Sequence, residues 1–427
     1  MKVGLDKLVE NCNLLTDLGR IGIVTNQAVT SSQFVSAAEV ISRAAGKANG
    51  ARVTAVFGPQ HGYGQTEQDN MRETPDTFFQ FEDGSQVPLF SLYSQTRMPT
   101  VEQLSLMDTL VIDLLDIGCR VYTYMETLAG CLRATAPLGK KVVVLDRPNP
   151  LGLCHLNERN QWQRVEGNLL DMRWESFVGW YSIPMRHGLT LGELGHYFIA
   201  SDKLKIDYRV IAVDNLFRKT SPTELSQLTW TMPSPNIPTW ESAFLFPSFV
   251  TLEATNISEG RGTTLPFQII GAPYLDTSGL QKFFRDSSKL NGPLLTEFAQ
   301  FDAFVFRPHD FRPTFNKHAG NLCKGIQIHC INPERAHLFS LGMHFLYFCT
   351  AKHPLEMTWN PPGYEYNYEA PPLNLILGHE SWLEFFEQVK LGGDSPANRE
   401  RLAFLLQNSQ EQAQQFAAQS KFAHIYS

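Results

Sequence analysis

Two stretches of this chain crowd polar chemistry into few positions. Glu253-Ala254-Thr255-Asn256-Ile257-Ser258-Glu259-Gly260-Arg261-Gly262-Thr263-Thr264 holds two carboxylates, a guanidinium and two glycines. Glycine lets a backbone come close to a ligand, and the apolar runs on either side disfavour a free surface loop. Pro233-Ser234-Pro235-Asn236-Ile237-Pro238-Thr239 is a rigid loop, because its prolines fix φ and hold Asn236 in one place. The first half adds four polar groups, each just after an apolar run. They are Thr25-Asn26-Gln27; Gly58-Pro59-Gln60-His61-Gly62 with Gln68-Asp69-Asn70; Asp113 and Asp116 followed by Gly118, Arg120 and Tyr122; and Asp146-Arg147-Pro148-Asn149-Pro150. Taken singly, each fits a structural role: a turn, a satisfied loop histidine, an aspartate bonded to backbone or to Arg120, an Asp146–Arg147 ion pair. Taken together, polar groups converging from separate segments mark a pocket for a small molecule rather than a packing surface.

The apolar runs are what must position these groups. Ile21–Thr25, Val53–Phe57, Leu110–Leu114 and Val142–Leu145 are β-branched and apolar on both faces, as buried strands of a parallel sheet are. Helical patterns lie between them at Ser32–Ala48, Thr100–Met107 and Tyr124–Pro137. Leu189–Ala200 is another amphipathic helix, with Thr190 as N-cap and Glu193 completing a capping box. The sum is a doubly wound, Rossmann-like α/β domain with a mostly parallel sheet, whose ligands bind at the carboxyl ends of the strands. The Pro-rich stretch Thr231–Pro247 breaks this texture. The reading is therefore a Rossmann-like domain over 1–235 and a smaller α+β domain over 236–427, with the site in the cleft between them. A Gln/Ala-rich amphipathic tail, Glu400–Ser420, closes the chain.

Composition narrows the function classes. At 427 residues the chain exceeds one ordinary core, which favours two domains. The net charge of -7 is spread out, and no basic block points to nucleic acid. The seven cysteines have no repeated spacing, so scattered thiols in a reducing compartment are expected rather than a disulfide framework. Met1–Cys12 has no apolar signal core, and His337–Ala351 is too short to span a bilayer, so a cytoplasmic protein without membrane contact is expected. No Walker A or G-x-G-x-x-G pattern calls for a nucleotide. Neither H-E-x-x-H nor a Cys/His cluster calls for zinc, and no G-x-S-x-G elbow is present. No cofactor and no metal are expected.

The chain resembles the exo-β-N-acetylmuramidases of the NamZ type, long known as a domain of unknown function. The matching segments are FGPQHG (57–62), QDN (68–70), VIDLLDIGCRVYTY (111–124), LDRPNP (145–150), VEG (165–167), HGLTLGEL (187–194), PSPNIPT (233–239), LEATNISEGRGTTLPF (252–267), GAPYLD (271–276), FRPTFNKHAG (311–320) and CKGIQIH (323–329). Beyond about residue 350 the match is loose. The resemblance implies hydrolysis of the β-1,4 bond between a non-reducing-end N-acetylmuramic acid (MurNAc) and the next sugar, GlcNAc in the disaccharide.

Such a reaction needs an acid for the leaving oxygen and a base or nucleophile on the other face, unless the substrate's own acetamide replaces the latter. Glu259 or Glu166 is expected to supply one of these groups, with Asp116, Asp69 and Glu253 as the remaining candidates. Arg120, Arg147 and Arg261 are candidates to hold the lactyl carboxylate. Tyr122, His61, His187, Asn26, Asn70, Asn149, Asn236 and Asn256 are candidates to bond the sugar. Many relatives carry glutamate where this chain has Gln60, and a glutamine donates no acidic proton. Either another carboxyl acts here, or the chain binds sugar without cleaving it or takes a different sugar.

Overall fold

The computed structural model of the protein describes residues 1–68, 71–94, 96–287 and 301–427. Its larger sheet is built from β1 (Gly19–Val24), β2 (Ala51–Gly58), β3 (Thr77–Gln80), β4 (Gln86–Ser91), β5 (Thr109–Ile112) and β6 (Lys141–Leu145). A small hairpin, β7 (His155–Leu156) and β8 (Trp162–Gln163), stands apart, and β9 (Asp207–Ile211) completes the large sheet. The order is β3-β4-β2-β1-β5-β6-β9, parallel throughout except for β3. Both faces are covered. Ile21, Ile23, Val111 and Val143 pack against Leu5, Leu8, Val40 and Ile41 of the helices Gly4–Glu10 and Ala37–Lys47. Their sequence neighbours Val24, Leu110, Ile112 and Val144 join Met125, Leu128, Leu194 and Phe198 on the opposite face. Strand side chains alternate between faces, so two buried faces produce the unbroken apolar runs.

The chain leaves β1 toward β2 on one side and returns to β5 on the other. The crevice for ligands in an open α/β sheet forms at such a reversal. Loops after β1, β2 and β5 therefore meet above it.

The element boundaries differ in places from the sequence reading. The helix expected from Ser32 begins at Ala37, because the Ser36 side chain accepts from Glu39 N and caps it. The segment from Thr100 is a single turn, Val101–Leu104. The Thr190–Glu193 capping box is present and starts the helix Leu191–Asp202; such a cap contributes about 1 kcal/mol. The β3–β4 hairpin was not read from sequence: β3 is a mostly exposed edge strand with no buried stripe to betray it.

The second half holds a three-stranded antiparallel sheet of β10 (Ile269–Ala272), β11 (Phe304–Pro308) and β12 (Lys324–Cys330), with β12 central. The helices Trp240–Phe249 and Leu338–Lys352 pack beside it in the same apolar cluster that reaches the large sheet. The helix Pro396–Gln419 crosses back: Gln414 Nε2 donates to Trp162 O (2.7 Å) and Oε1 accepts from Trp162 N (2.7 Å). Near the chain end, Tyr426 Oη donates to Asp146 Oδ2 at 2.6 Å. Among the described residues no helix is long and apolar enough to cross a membrane.

Candidate active site

A narrow cleft opens above the crevice and takes its walls from both halves of the chain. Gln60 and His61 follow β2, and Tyr122 and Thr123 follow β5. Ser234 and Asn236 come from the proline loop, Glu253 and Arg261 from the dense polar segment, and Tyr364 and Glu365 from a later loop. Phe246 and Phe267 add apolar surface.

The β2 loop turns sharply. Gly62 N donates to Pro59 O at 2.9 Å, and His61 and Gly62 both have left-handed backbones, at φ 68° and 74°. Gly58 permits the fold-back, since a Cβ there would lie 2.6 Å from Tyr63 N. His61 Nδ1 donates to Glu67 O at 2.7 Å, which leaves Nε2 as an acceptor. Burial, with the Arg261 charge adding to it, holds the imidazole pKa down at about 4, so the ring is neutral at pH 7. Asn236 Nδ2 donates to Gln68 O at 2.9 Å.

Among the described residues two carboxyl groups border the cleft. Glu253, 9% exposed, accepts from Arg261 Nη2 and, at 2.8 Å, from Tyr364 Oη. Glu365, 5% exposed, accepts from Tyr93 Oη at 2.7 Å and from Gln60 Nε2 at 3.3 Å. Thr123 Oγ1 donates to the other end of the Gln60 amide. Burial pushes the Glu365 carboxyl above its ordinary range, and the nearby Glu253 charge adds to the shift.

Of the residues singled out from sequence, Gln60, His61, Tyr122, Asn236, Glu253 and Arg261 line this cleft. Asp69 and Asn70 lie outside the described residues. The others stand elsewhere, each with structural partners. Glu259 is buried behind Arg261, 3.5 Å from its Nε, and accepts from Lys317 Nζ at 2.8 Å. Glu166 pairs with Arg186 at 2.6 Å and accepts from Phe339 N at 2.9 Å, beside a separate groove. Arg120 is fully buried and donates to the carbonyls of Asn168, Ile183 and Ile376, so it has no access to a lactyl group. Arg147 grips Asp113 with Nε and Nη2 (2.6 and 3.1 Å) rather than forming the Asp146 pair. Asp146 instead caps the helix Leu191–Asp202, accepting from Gly192 N at 2.9 Å.

Asn26 lies one layer below the cleft, donating to Tyr124 Oη at 2.6 Å. Asn149 ties Leu189 O to Leu151 N. Asn256 ties Glu356 O to Thr358 N and the Tyr274 hydroxyl. His187 accepts from Leu189 N at 3.2 Å, and burial lowers its pKa to about 3.

Asp116 is not among the residues lining the cleft; it accepts from Gly118 N at 2.7 Å, and burial raises its pKa to about 7. That shift makes a stability prediction. Between the unfolded value near 3.9 and pH 7, the unfolded chain gives up this proton and the folded chain keeps it. Stability therefore falls with rising pH across that window. Asp116→Asn keeps the acceptor for Gly118 and removes the ionisation. Urea melts are expected to show the variant about 2 to 4 kcal/mol more stable at pH 8 and no more stable at pH 4. Equal gaps at both pH values would refute this.

Sequence reasoning missed Glu365, Tyr364, Thr123 and Tyr93. The signal for the first two was a glutamate between tyrosines after Pro361-Pro362-Gly363, a turn with unusually heavy side chains. Among the described residues one group of ligand-type side chains gathers outside the cleft: Asp171, His379 and Glu380, within 4.8 Å of one another. Arg173 already donates to both carboxylates, which makes the group a surface ion-pair cluster.

The family profile described as exo-beta-N-acetylmuramidase NamZ, N-terminal, matches residues 21–241, and its C-terminal counterpart matches residues 244–426. The chain is 34% identical over 343 residues to the peptidoglycan beta-N-acetylmuramidase NamZ of Bacillus subtilis, covering 80% of this chain and 76% of that protein. A crystal structure of a DUF1343 family protein from Bacteroides fragilis superposes with a TM-score of 0.77 at 26% identity, covering all of this chain and 99% of that one. A second DUF1343 structure from the same organism shares the fold, with a TM-score of 0.68 at 23% identity over 100% of this chain and 98% of that one. Both halves and the fold lead to the same conclusion: the chain belongs to the exo-β-N-acetylmuramidase NamZ family.

Proposed function

We propose that this protein is a glycoside hydrolase that releases MurNAc from the non-reducing end of β-1,4-linked peptidoglycan fragments such as MurNAc-GlcNAc. The observation that carries the reading is the pair of buried carboxyls, Glu253 and Glu365, on one cleft walled by polar and aromatic side chains. Hydrolysis of this bond requires an acid at the leaving oxygen and negative charge near the anomeric carbon. Arg261 alone among the three arginines considered lines the cleft, and it is assigned the lactyl carboxylate. Neutral His61 and Asn236 are assigned hydroxyl and acetamide contacts. Water is the only co-reactant, so no cofactor is needed. The cleft is bounded on several sides, which suits an enzyme that takes one terminal sugar. Thiols that stay unpaired in all seven cysteines suit small recycled fragments in a reducing cytoplasm.

The test is incubation of the purified protein with MurNAc-GlcNAc. Both free sugars are expected. Binding without release would make it a sugar-binding protein, and cleavage of aryl GlcNAc but not aryl MurNAc substrates would change its specificity.

A further inference from the structure

We propose that Glu365 is the proton donor of this site and that Gln60 is the residue that positions it. The assignment rests on the muramidase reading above and names the group within it. Three observations converge on Glu365.

The first is its lack of a locking cation. Glu253 is paired with Arg261, Glu259 with Lys317 and Arg261, and Glu166 with Arg186. Each of those partners favours the ionised form. Among the described residues no Lys, Arg or His forms an ion pair with Glu365; its hydrogen-bond partners are the neutral donors Tyr93 and Gln60, and the Arg97 charge, seated over the Tyr93 and Tyr366 rings, favours the ionised form only from beyond ion-pair distance. A carboxyl without an ion-pair partner keeps its proton more readily than one held in an ion pair.

The second is its backbone. Glu365 and Tyr366 are the central residues of a tight turn closed by Asn367 N to Tyr364 O at 3.0 Å, with φ of 46° and 64°. Two left-handed residues in such a turn ordinarily select Asn-Gly. Carrying Glu and Tyr there strains the backbone, and strain of this kind concentrates at functional sites.

The third is the amide of Gln60. Thr123 donates to its oxygen, and its nitrogen faces Glu365. The amide, the cleft wall and Tyr93 fix the carboxyl from separate segments.

In the step itself, the bond from the anomeric carbon to the glycosidic oxygen breaks and its electron pair goes to that oxygen. The oxygen takes the proton of Glu365 and departs as the hydroxyl of the leaving sugar. A water oxygen bonds the anomeric carbon, and its surplus proton returns to the carboxylate of Glu365 directly or through solvent. One proton enters and one leaves, so the enzyme is restored.

The experiment compares two substrates that differ in their need for an acid. The GlcNAc of MurNAc-GlcNAc must be protonated to leave, whereas 4-nitrophenolate leaves from a 4-nitrophenyl β-MurNAc substrate unprotonated. Glu365→Gln is expected to lower kcat/KM on the disaccharide by about 10²–10⁴-fold, to cost no more than about tenfold on the aryl substrate, and to abolish the basic limb of the pH profile. Gln60→Leu removes a hydrogen bond that favours the ionised carboxyl, so its basic limb is expected to move to higher pH. That second variant decides the matter should Glu365→Gln not fold. Equal losses on both substrates, a disaccharide loss under tenfold, or an unmoved Gln60→Leu profile would overturn the assignment. Wild-type protein that cleaves neither substrate would overturn the reaction, and the acid assignment with it.

Discussion

Glu253→Gln is expected to lower kcat/KM on MurNAc-GlcNAc by about 10²–10⁴-fold in a protein that still folds. The carboxylate holds Arg261 and the Tyr364 hydroxyl in place and puts negative charge on the cleft wall. Arg261 keeps Glu259 as a counter-ion when Glu253 is replaced, so the fold survives. The same change carries a pH signature. The Glu253 charge raises the affinity of Glu365 for its proton, so a neutral glutamine lets Glu365 ionise at lower pH. The basic limb of kcat/KM then moves to lower pH, opposite to the shift expected for Gln60→Leu. A pH–rate profile of each variant separates them. Activity within tenfold of wild type would reduce Glu253 to a structural partner of Arg261.

Glu259→Gln is expected to act on stability instead, with a loss of about 3–5 kcal/mol. Glu259 is 1% exposed and is the shared counter-ion of Lys317 and Arg261. Lys317 also donates to Leu252 O at 2.6 Å and Ile257 O at 3.1 Å, so removing the charge leaves a cation stranded among backbone carbonyls. Burial opposes ionisation of Glu259, but the two cations outweigh it and its pKa lies below the ordinary value. A depressed carboxylate pKa contributes stability above the unfolded value, and that contribution is lost as pH falls through the folded value. Denaturant melts should therefore show a wide gap between wild type and variant at pH 7 that narrows in acid. Superimposed melts at pH 7 would contradict the ion-pair account.

These two glutamates show where reading a sequence by residue type loses resolution. They stand six positions apart in one dense polar segment, and nothing local distinguishes them. The 3-10 turn Val250–Ala254 brings Glu253 to the cleft, while Glu259 pairs with Lys317, which is 58 positions away in the chain. A similar division runs through the first half. Gln60, His61 and Tyr122 follow strand ends and reach the cleft, yet Asn26 and Arg120, which also follow strand ends, turn inward to satisfy a tyrosine hydroxyl and backbone carbonyls. Buried polar groups demand partners, and a loop folding under the cleft rim has as many such demands as the rim itself. Glu365 escaped notice for the opposite reason. Its neighbourhood of prolines, glycine and tyrosines carries no dense polar motif, and its chemistry comes from Gln60, 305 positions earlier.

Periodic burial and turn chemistry are local properties, so the chain's order alone marked the four central strands β2, β1, β5 and β6 of the large sheet, several of its helices, the Thr190 cap and the crevice where ligand-binding loops gather. The long matching motifs likewise declared the family without coordinates. Which carboxyl is locked by a cation and which keeps its proton was decided only when distant segments packed together. A proton's affinity depends on charges and solvent within a few ångströms, and sequence distance says little about that spacing.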